Sequence, residues 1–321
     1  MAGIAIAGSI LVDKINEIGS YPAIGELTQI RSVKRAVGGC VPNVAIDLKT
    51  LSPETDIYAI GKVGQDDEKA FLLHELGDRG IDLTGIRVAQ NERTSFTEVM
   101  SIVGGQRTFF TYPGASADFG LTDIDFGAFK ADMLHLGYFL LLDKVDNGDG
   151  EKILAKAKSL GIKTSIDLVS ENSDRYKLVI PCLKYTDNVI INESEAGKIA
   201  DIEPTKENLK AIAEKIMRYG IGERVIIHMP ELSVCLSSDG TYTVLPSYEL
   251  PKGFIKGTTG AGDAFCAGAL LAIYLGKSDK EILETASKAA VGALSAADAV
   301  SGMKSLSELD ELCKTMKLKS I

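Results

Sequence analysis

Histidine and closely spaced cysteine pairs are both scarce in this sequence. Only three histidines occur in 321 residues, which argues against a histidine-rich metal site and against a Ser-His-Asp triad. The five cysteines, at positions 40, 182, 235, 266 and 313, are odd in number and never spaced as Cys-x-x-Cys. This pattern indicates reduced thiols rather than a disulfide framework or a zinc site.

Long hydrophobic runs and an excess of positive charge are also missing. The longest apolar stretches, residues 133–142 and 264–275, are shorter than the roughly 20 residues that a membrane span needs. The N-terminal segment lacks the basic start and cleavage site of a signal peptide. The net charge of -9 disfavours a nucleic-acid partner. We therefore expect a cytoplasmic protein with no nucleic-acid and no membrane partner.

Short apolar segments alternate with amphipathic segments along most of the chain. The apolar segments predict strands at residues 3–7, 57–60, 133–136, 163–167, 188–191 and 224–228. The amphipathic segments predict helices at residues 43–51, 66–80, 150–161, 194–200, 206–219, 261–275 and 279–299. This alternation predicts an α/β fold with helices on both faces of a mostly parallel sheet. The length allows one large domain with a smaller appendage.

Two stretches, residues 11–35 and 92–112, interrupt this alternation. Both contain segments in which apolar and polar residues alternate, and in the second stretch Gly104 and Gly105 lie between two such segments, as in a hairpin. We interpret the two stretches as a small antiparallel sheet. It is appended to a main domain formed by residues 1–10, 36–91 and 113–321.

A glycine-rich segment, Gly257–Asp263, precedes a predicted helix near the end of the chain. It is not a Walker A loop, because Asp263 stands where that loop has its lysine. The amides of Gly260, Ala261 and Gly262 at a helix N-terminus would attract negative charge, and Asp263 would accept a proton. Together these groups favour phosphoryl transfer to an alcohol. The alternative is a tight turn with an ordinary acidic residue in the first helical turn.

Several motifs make the sequence resemble the ribokinase-like sugar kinases of the PfkB carbohydrate-kinase family. Residues 258–263, Thr-Thr-Gly-Ala-Gly-Asp, match all but the first position of the family's C-terminal signature. Gly38-Gly39 followed by Asn43 matches the N-terminal signature, and residues 192–195 match its Asn-x-x-Glu motif. Shorter matches occur at residues 8–13, 63–67 and 114–117. The resemblance spans nearly the whole chain and implies a ribokinase-like three-layer sandwich, with residues 11–35 and 92–112 forming a β lid that closes over the sugar.

The resemblance also implies roles for individual residues. Asp263 would be the general base, and the amides of Gly260, Ala261 and Gly262 would form the anion hole. The acceptor substrate would be bound by four residues: Asp13, Gly38, Gly39 and Asn43. From the sequence alone, Asn43 fits equally well as an N-cap of the helix that follows.

The nucleotide side of the site would be formed by Asn192, His228, Thr258, Gly260 and Gly262. Asn192 and Glu195 would organise Mg²⁺ through water, since this ion keeps several of its waters. The same Asn-x-x-Glu spacing also predicts a helix cap, and the two roles are compatible. Phe96, Phe110 and Tyr112 would line the lid or simply pack within it.

Three positions depart from the family pattern. Gly257 stands where members that are activated by K⁺ have an acid, which argues against activation by a monovalent cation. Residues 228–233 replace the usual Thr-Leu-Gly-x-x-Gly near the nucleotide ribose, so contacts to the donor must differ. Cys40 replaces the lysine of ribokinases, which favours a neutral sugar or nucleoside. A phosphosugar remains an alternative because of three basic residues, Lys34, Arg35 and Arg107.

The sequence therefore predicts an ATP- and Mg²⁺-dependent sugar kinase that transfers the γ-phosphoryl group to a hydroxyl of a small carbohydrate. The alternatives are a nucleoside kinase of the same fold and a sugar-binding homologue that has lost catalysis. The resemblance also implies a homodimer formed through the lid.

Overall fold

The computed structural model describes residues 2–102 and 107–320. Within these residues, nine strands form the large sheet: β1 (Ile4–Gly8), β4 (Ile57–Val63), β5 (Asp82–Val88), β8 (Met133–Phe139), β9 (Lys163–Leu168), β10 (Asn188–Asn192), β11 (Arg224–His228), β12 (Leu232–Ser237) and β13 (Tyr242–Pro246). Their order across the sheet is β13-β12-β11-β10-β9-β8-β1-β4-β5. Neighbours from β11 to β5 are parallel, whereas β12 runs antiparallel to both β11 and β13.

Helices cover both faces of this sheet. In the described part of the chain they are α1 (Cys40–Leu51), α2 (Asp67–Gly77), α3 (Gly114–Ala117), α4 (Gly150–Ser159), α5 (Ile180–Leu183), α6 (Glu193–Ala200), α7 (Leu209–Met217), α8 (Ala261–Tyr274), α9 (Asp279–Leu294) and α10 (Leu306–Cys313). Val44 of α1 and Leu270 of α8 belong to the core on one face. Leu154 of α4 and Ile212 of α7 belong to the core on the other face. The predicted three-layer sandwich is confirmed.

The burial of β1 shows how the sequence specifies these layers. Ile4 and Ile6 belong to the core beneath α1 and α8, whereas Ala5 and Ala7 belong to the opposite core. Successive side chains of a strand point to opposite faces, so a strand covered on both sides needs apolar residues at every position. The continuous run Ile-Ala-Ile-Ala is therefore typical of a central parallel strand.

A second sheet of four strands is formed by the stretches that were predicted to form the lid, and it is called the lid sheet below. Its strands are β2 (Leu11–Ile18), β3 (Ile30–Gly38), β6 (Ser95–Ile102) and β7 (Arg107–Tyr112), in the order β3-β2-β6-β7. The pairs β2–β3 and β6–β7 are antiparallel, but β2 and β6 are parallel, so the expectation of a purely antiparallel sheet was wrong. Because β2 continues from β1 and β6 follows β5, both strands leave the parallel sheet in the same direction. The predicted turn at Gly104 and Gly105 lies outside the described residues.

Other elements differ from the prediction mainly at the edges of the large sheet. β5, β12 and β13 were not predicted; β5 carries Asp82 and Gly85, both unfavourable in strands, which weakens its pattern. The last long helix ends at Leu294, before the predicted end at residue 299. β3 continues to Gly38, so the lid sheet reaches the Gly-Gly pair itself.

Most residues of the two apolar stretches noted in the sequence are buried. Among the helices of the described residues, none combines the length and the hydropathy that a membrane crossing requires. All five cysteines are buried free thiols.

Candidate active site

Asp263 lies in the first turn of α8 with its carboxyl group almost completely buried. Its Oδ2 accepts two hydrogen bonds, from Asn43 Nδ2 at 2.8 Å and from the Tyr138 hydroxyl at 2.9 Å. Asn43 comes from the first turn of α1 and Tyr138 from the C-terminal end of β8. Three separate elements thus meet at one carboxyl oxygen.

The surroundings of Asp263 change its proton affinity. Burial and the nearby carboxylate of Asp167 raise the pKa of Asp263 from 3.8 to about 7, although the hydrogen bonds from Asn43 and Tyr138 oppose the shift. A carboxylate whose pKa lies near neutrality can accept a proton and release it again at neutral pH. The site therefore gives Asp263 the proton affinity of a general base.

The glycine-rich segment forms the N-terminus of α8. Gly260 precedes the helix with a φ of 79°, and a Cβ at this position would lie 2.5 Å from Cα of Ala299. The amide of Ala261 donates to the carbonyl of Thr258 at 3.3 Å. For Gly260 and Gly262, no acceptor of the amide lies among residues 2–102 and 107–320. These two amides, at the positive end of the helix dipole, suit an anion.

Asp13, on β2, lies against the backbone of Gly38 on the adjacent strand β3. A Cβ at Gly38 would lie 2.7 Å from Asp13 Oδ2, so the carboxyl group occupies the space that a side chain would need. Burial raises the pKa of Asp13 to about 7. Gly39 has a φ of 87°, and a Cβ there would lie 2.7 Å from the carbonyl oxygen of Ser9. Both glycines are therefore required by close contacts.

Asn43 is not the N-cap of α1, which was the alternative role that the sequence allowed. α1 begins at Cys40 and its N-cap residue is Gly39, so Asn43 lies inside the helix and is not an N-cap. The sequence pattern placed the start of this helix at residue 43 because the preceding Pro42 and two glycines resemble a turn. Pro42 is in fact tolerated in the first turn, where its missing amide hydrogen is not needed. Asn43 is free to contact Asp263.

Asn192 and Glu195 form the helix cap that their spacing predicts. Asn192 Oδ1 accepts from the amide of Glu195 at 2.9 Å, and Glu195 Oε2 accepts from the amide of Asn192 at 3.1 Å. Ser170 completes the group, donating to Glu195 Oε1 and accepting from Asn192 Nδ2. Burial raises the pKa of Glu195 from 4.5 to about 8. The carboxyl group is thus held at the floor of a cavity of about 180 Å³ that Asp263 also lines.

His228 and Thr258 line a larger, mostly apolar cavity of about 730 Å³. Its wall includes Tyr248, Phe265 and Leu294. The His228 ring lies 4.7 Å from the Phe265 ring, and desolvation lowers the pKa of His228 to about 4, so the imidazole is neutral at neutral pH. Both cavities are lined by Asn192, His228 and Gly262 and therefore adjoin at the N-terminus of α8.

The three basic residues near the lid, Lys34, Arg35 and Arg107, make different contacts. Arg35 pairs with Glu68 at 3.2 Å, whereas Lys34 lines a cavity of about 620 Å³ between the lid and residues 255–259. Arg107 donates hydrogen bonds to the hydroxyl of Thr259 and, at 3.2 Å, to the carbonyl of Ala297.

Gly257 lies against the same backbone carbonyl that Arg107 contacts. A Cβ at Gly257 would lie 2.9 Å from the carbonyl oxygen of Ala297 and 3.0 Å from that of Ala296. The Arg107 guanidinium group and Gly257 thus both contact the Ala297 carbonyl.

Two residues of the site, Tyr138 and Asp167, were missed in the sequence. The amide of Tyr138 donates to Asp167 Oδ1 at 2.6 Å, and its hydroxyl donates to Asp263. Tyr138 has a φ of 60°, an uncommon conformation for a residue with a large side chain. Asp167 is the last residue of a predicted strand and Tyr138 lies two residues after another, and the carboxyl ends of parallel strands are where ligands bind in α/β sheets. That rule would have found them.

A comparison with known protein families agrees with this geometry. The model of a family described as pfkB family carbohydrate kinase matches residues 1–305. The chain belongs to the pfkB family of carbohydrate kinases. It is therefore a phosphotransferase that acts on a hydroxyl group, as a sugar or nucleoside kinase.

Individual members of the pfkB family show how far the likeness extends. Ribokinase of Arabidopsis thaliana is 25% identical over 297 residues, which cover 89% of this chain and 74% of the relative. Adenosine kinase of Saccharomyces cerevisiae is 28% identical over 280 residues, covering 84% and 81%. The structure of Arabidopsis thaliana ribokinase complexed with ribose and ATP superposes with a TM-score of 0.85 at 22% identity, covering 98% of this chain and 99% of that one. This last comparison confirms the ribokinase-like fold.

Proposed function

We propose that this pfkB family member transfers the γ-phosphoryl group of Mg-ATP to a hydroxyl group of a small neutral sugar. The observation that carries the proposal is the buried carboxyl group of Asp263, with a pKa near 7, directly after the exposed amides of an α-helix N-terminus. Phosphoryl transfer to an alcohol needs both a proton acceptor and a fixed positive potential.

In the proposed reaction, Asp263 accepts the proton of the acceptor hydroxyl. The hydroxyl oxygen forms a new bond to the γ-phosphorus, and the bond from this phosphorus to the bridging oxygen breaks, leaving its electron pair on ADP. The hydrogen bonds from Asn43 and Tyr138 hold Oδ2, so the other carboxyl oxygen, Oδ1, is oriented towards the substrate. Asp263 must be ionised to act, which requires a pH near or above its pKa.

The N-terminus of α8 stabilises the transferring group. The amides of Gly260 and Gly262 offer two donors at the positive end of the helix dipole. The amide of Ala261 was expected to contribute as well, but it is directed to the Thr258 carbonyl and contributes only if that 3.3 Å hydrogen bond is broken.

Asp13 binds the hydroxyl groups of the acceptor, supported by Gly38 and Gly39. A carboxylate accepts hydrogen bonds from two neighbouring hydroxyls, which a sugar ring offers. Arg35 forms an ion pair with Glu68, and Cys40 carries no positive charge. The part of the site that binds the acceptor therefore offers little fixed positive charge for a phosphosugar. The adenine and ribose of ATP bind in the 730 Å³ cavity beside Phe265, where the neutral His228 ring adds no charge.

Asn192 and Glu195 fit a Mg²⁺ ion that is held through water. The Glu195 carboxyl group is buried, and within the described residues no lysine or arginine pairs with it, so a nearby hydrated cation would favour its ionised form. Asn192 Oδ1 already accepts from the Glu195 amide, which makes an inner-sphere role for Asn192 unfavourable. When bound, Mg²⁺ would neutralise charge on the transferring phosphates.

A nucleoside is the second candidate acceptor. The 620 Å³ cavity between the lid and residues 255–259 offers space beyond a single sugar ring, and a relative is an adenosine kinase. Dimerisation through the lid stays a prediction; the solvent-exposed aromatic residues Phe109 and Phe110 on β7 are its support.

A screen of ADP release tests the proposed acceptor class. The protein is incubated with Mg-ATP and a panel of pentoses, hexoses, sugar phosphates and nucleosides. We expect the highest kcat/KM for a neutral sugar, and we expect Asp13→Asn to lose this preference. A preference for a nucleoside would favour the second candidate, and a preference for a sugar phosphate would contradict the proposed role of the neutral acceptor side.

A further inference from the structure

Three side chains capable of binding metal meet beside the candidate active site, and a fourth lies next to one of them. Cys40 lies at the start of α1, His135 in β8, Asp167 near the end of β9 and Cys266 in α8. One donor atom from each of Cys40, His135 and Asp167 lies within 4.8 Å of the others. Cys266 Sγ lies 3.6 Å from His135 Nε2. These residues are far apart in sequence, which is why no motif revealed them.

The distances among the donor atoms of Cys40, His135 and Asp167 are close to those around a single tetrahedral ion. His135 Nε2 lies 3.4 Å from Asp167 Oδ2, and Cys40 Sγ lies 4.0 Å from the same oxygen. Zinc bonds of about 2.0 Å to nitrogen or oxygen and about 2.3 Å to sulfur place tetrahedral ligands roughly 3.3–3.8 Å apart. Adjustments of both the Cys40 and the Cys266 side chains would bring all four donors to one ion.

The cluster has little protein charge to balance it. Cys40 and His135 are completely buried, Cys266 is 2% exposed and Asp167 is 6% exposed. In the described part of the chain, no lysine or arginine forms an ion pair with Asp167. Buried carboxylates require a counter-charge, which a divalent cation would supply.

The groups around the cluster orient its ligands as metal sites require. The Ser165 hydroxyl lies 3.0 Å from His135 Nδ1 and 3.5 Å from the Leu134 carbonyl, so it can accept from Nδ1 while it donates to the carbonyl. This leaves Nε2 free to act as the ligand, the usual arrangement for a metal-bound histidine. Asp167 Oδ1 is held by the amide of Tyr138, which leaves Oδ2 for the cluster.

Gly137 provides the space for the Cys40 thiol. A Cβ at position 137 would lie 1.9 Å from Cys40 Sγ, so any other residue would displace the sulfur. Asp167 and Cys266 also line the 180 Å³ cavity beside Asp263, which gives an ion a path to the cluster.

We propose that Cys40, His135, Asp167 and Cys266 bind one divalent transition-metal ion of the zinc type. Two sulfurs, one imidazole nitrogen and one carboxylate oxygen suit zinc, whereas Mg²⁺ prefers oxygen ligands alone. The site differs from the proposed Mg²⁺ position at Asn192 and Glu195. The proposal reverses the conclusion from cysteine spacing that the chain has no zinc site, because spacing reveals only ligands that are close in sequence. The ion links α1, β8, β9 and α8 directly beneath Asp263, so its role is to stabilise this part of the fold.

Metal analysis of the intact protein tests the proposal. The chain is purified under reducing conditions from a zinc-supplemented culture, and its zinc is measured by mass spectrometry; we expect one ion per chain. After replacement by Co²⁺, we expect the intense absorption of tetrahedral cobalt with a thiolate-to-cobalt charge-transfer band. Cys40→Ala and Cys266→Ala should each lose the ion and the band. Cys235→Ala removes an equally buried thiol outside the cluster and should keep both.

The cobalt spectrum of the unaltered protein keeps the test decisive even if a cysteine variant fails to fold. A chain that binds neither zinc nor cobalt would overturn the proposal and leave a direct contact between His135 and Asp167. Cobalt bound without a thiolate band would also overturn it, because the ion would then lie elsewhere, for example at the exposed pair His74 and Asp78. Removal of zinc by a chelator should lower the melting temperature of the unaltered chain and leave that of Cys40→Ala unchanged.

Discussion

The hydroxyl of Tyr138 lies 2.9 Å from Asp263 Oδ2 and donates a hydrogen bond to it. Tyr138 also binds Asp167 through its backbone amide, so one residue fixes the positions of two buried carboxyl groups. Its left-handed φ of 60° turns the chain at the end of β8, where the register of the sheet is irregular. An unfavourable backbone conformation kept at such a position suggests that the contact matters for function.

Tyr138→Phe should move the pH dependence of the reaction. The hydrogen bond from Tyr138 stabilises the ionised form of Asp263, so its loss raises the pKa of Asp263 above about 7. Because the base acts when ionised, the acidic limb of the profile of kcat/KM against pH should move to higher pH, and activity should recover in alkaline buffer. We expect a shift of roughly 1–2 pH units, since a hydrogen bond to a charged group contributes about 1.5–3 kcal/mol.

Tyr176→Phe is the matched control for this experiment. Its hydroxyl is also buried and donates to a backbone carbonyl, that of Glu171, at 2.9 Å, without contacting Asp263. The control should keep the unaltered profile. An identical profile in Tyr138→Phe would mean that Asp263 does not control the acidic limb.

Gly38→Ala should weaken binding of the acceptor selectively. The new methyl group would lie 2.6 Å from Leu11 Cδ1 and 2.7 Å from Asp13 Oδ2, and so would displace the Asp13 carboxyl group. We expect the KM for the acceptor to rise about 10-fold or more, as for a lost hydrogen bond to a charged group, while the KM for ATP stays unchanged. Gly77→Ala, whose methyl group makes only a 3.5 Å contact with Leu83, is the control. An unchanged acceptor KM in Gly38→Ala would rule out Asp13 as an acceptor ligand.

Gly260→Ala and Gly262→Ala should have different consequences. At Gly260 the φ of 79° and the 2.5 Å approach to Ala299 leave no room for a side chain, so alanine should lower the melting temperature. At Gly262 a Cβ would meet only His228, at 3.8 Å, so the fold should be retained. Its methyl group would nevertheless stand where the phosphates approach, and we expect kcat/KM for ATP to fall by roughly 10²-fold. Full activity in a folded Gly262→Ala would exclude these amides as the phosphate site.

The sequence predicted most of this site because its chemistry is carried by local motifs. Asp263 and the glycines before it are adjacent in the chain, and the Asn192–Glu195 cap follows from a spacing of three residues. The parallel sheet followed from continuous apolar strands such as β1.

The contacts that the sequence did not reveal join distant segments. Tyr138, Asp167 and the cysteine–histidine cluster come together only when β8, β9, α1 and α8 assemble. The parallel pairing of β2 with β6 likewise depends on where the two strands leave the large sheet. None of these contacts has a local sequence pattern that would distinguish it from ordinary packing.

Dependence on a monovalent cation should be absent. The Arg107 guanidinium donates to the Ala297 carbonyl at 3.2 Å, and Gly257 offers no carboxylate for an added cation. Replacing K⁺ by tetramethylammonium at constant ionic strength should therefore leave kcat and KM unchanged. Activity that is lost in this buffer and restored by K⁺ would show that the carbonyls near Gly257 still bind an ion.

The central claim, that Asp263 is the general base, is tested most directly by Asp263→Asn. Single-turnover phosphoryl transfer is measured for both proteins with the best acceptor, alongside calorimetric binding of ATP and acceptor and a thermal melt. The account predicts a rate constant lowered by roughly 10²–10⁴-fold, with both substrates still bound and the fold intact. A folded Asp263→Asn that transfers the phosphoryl group at close to the original rate would contradict it.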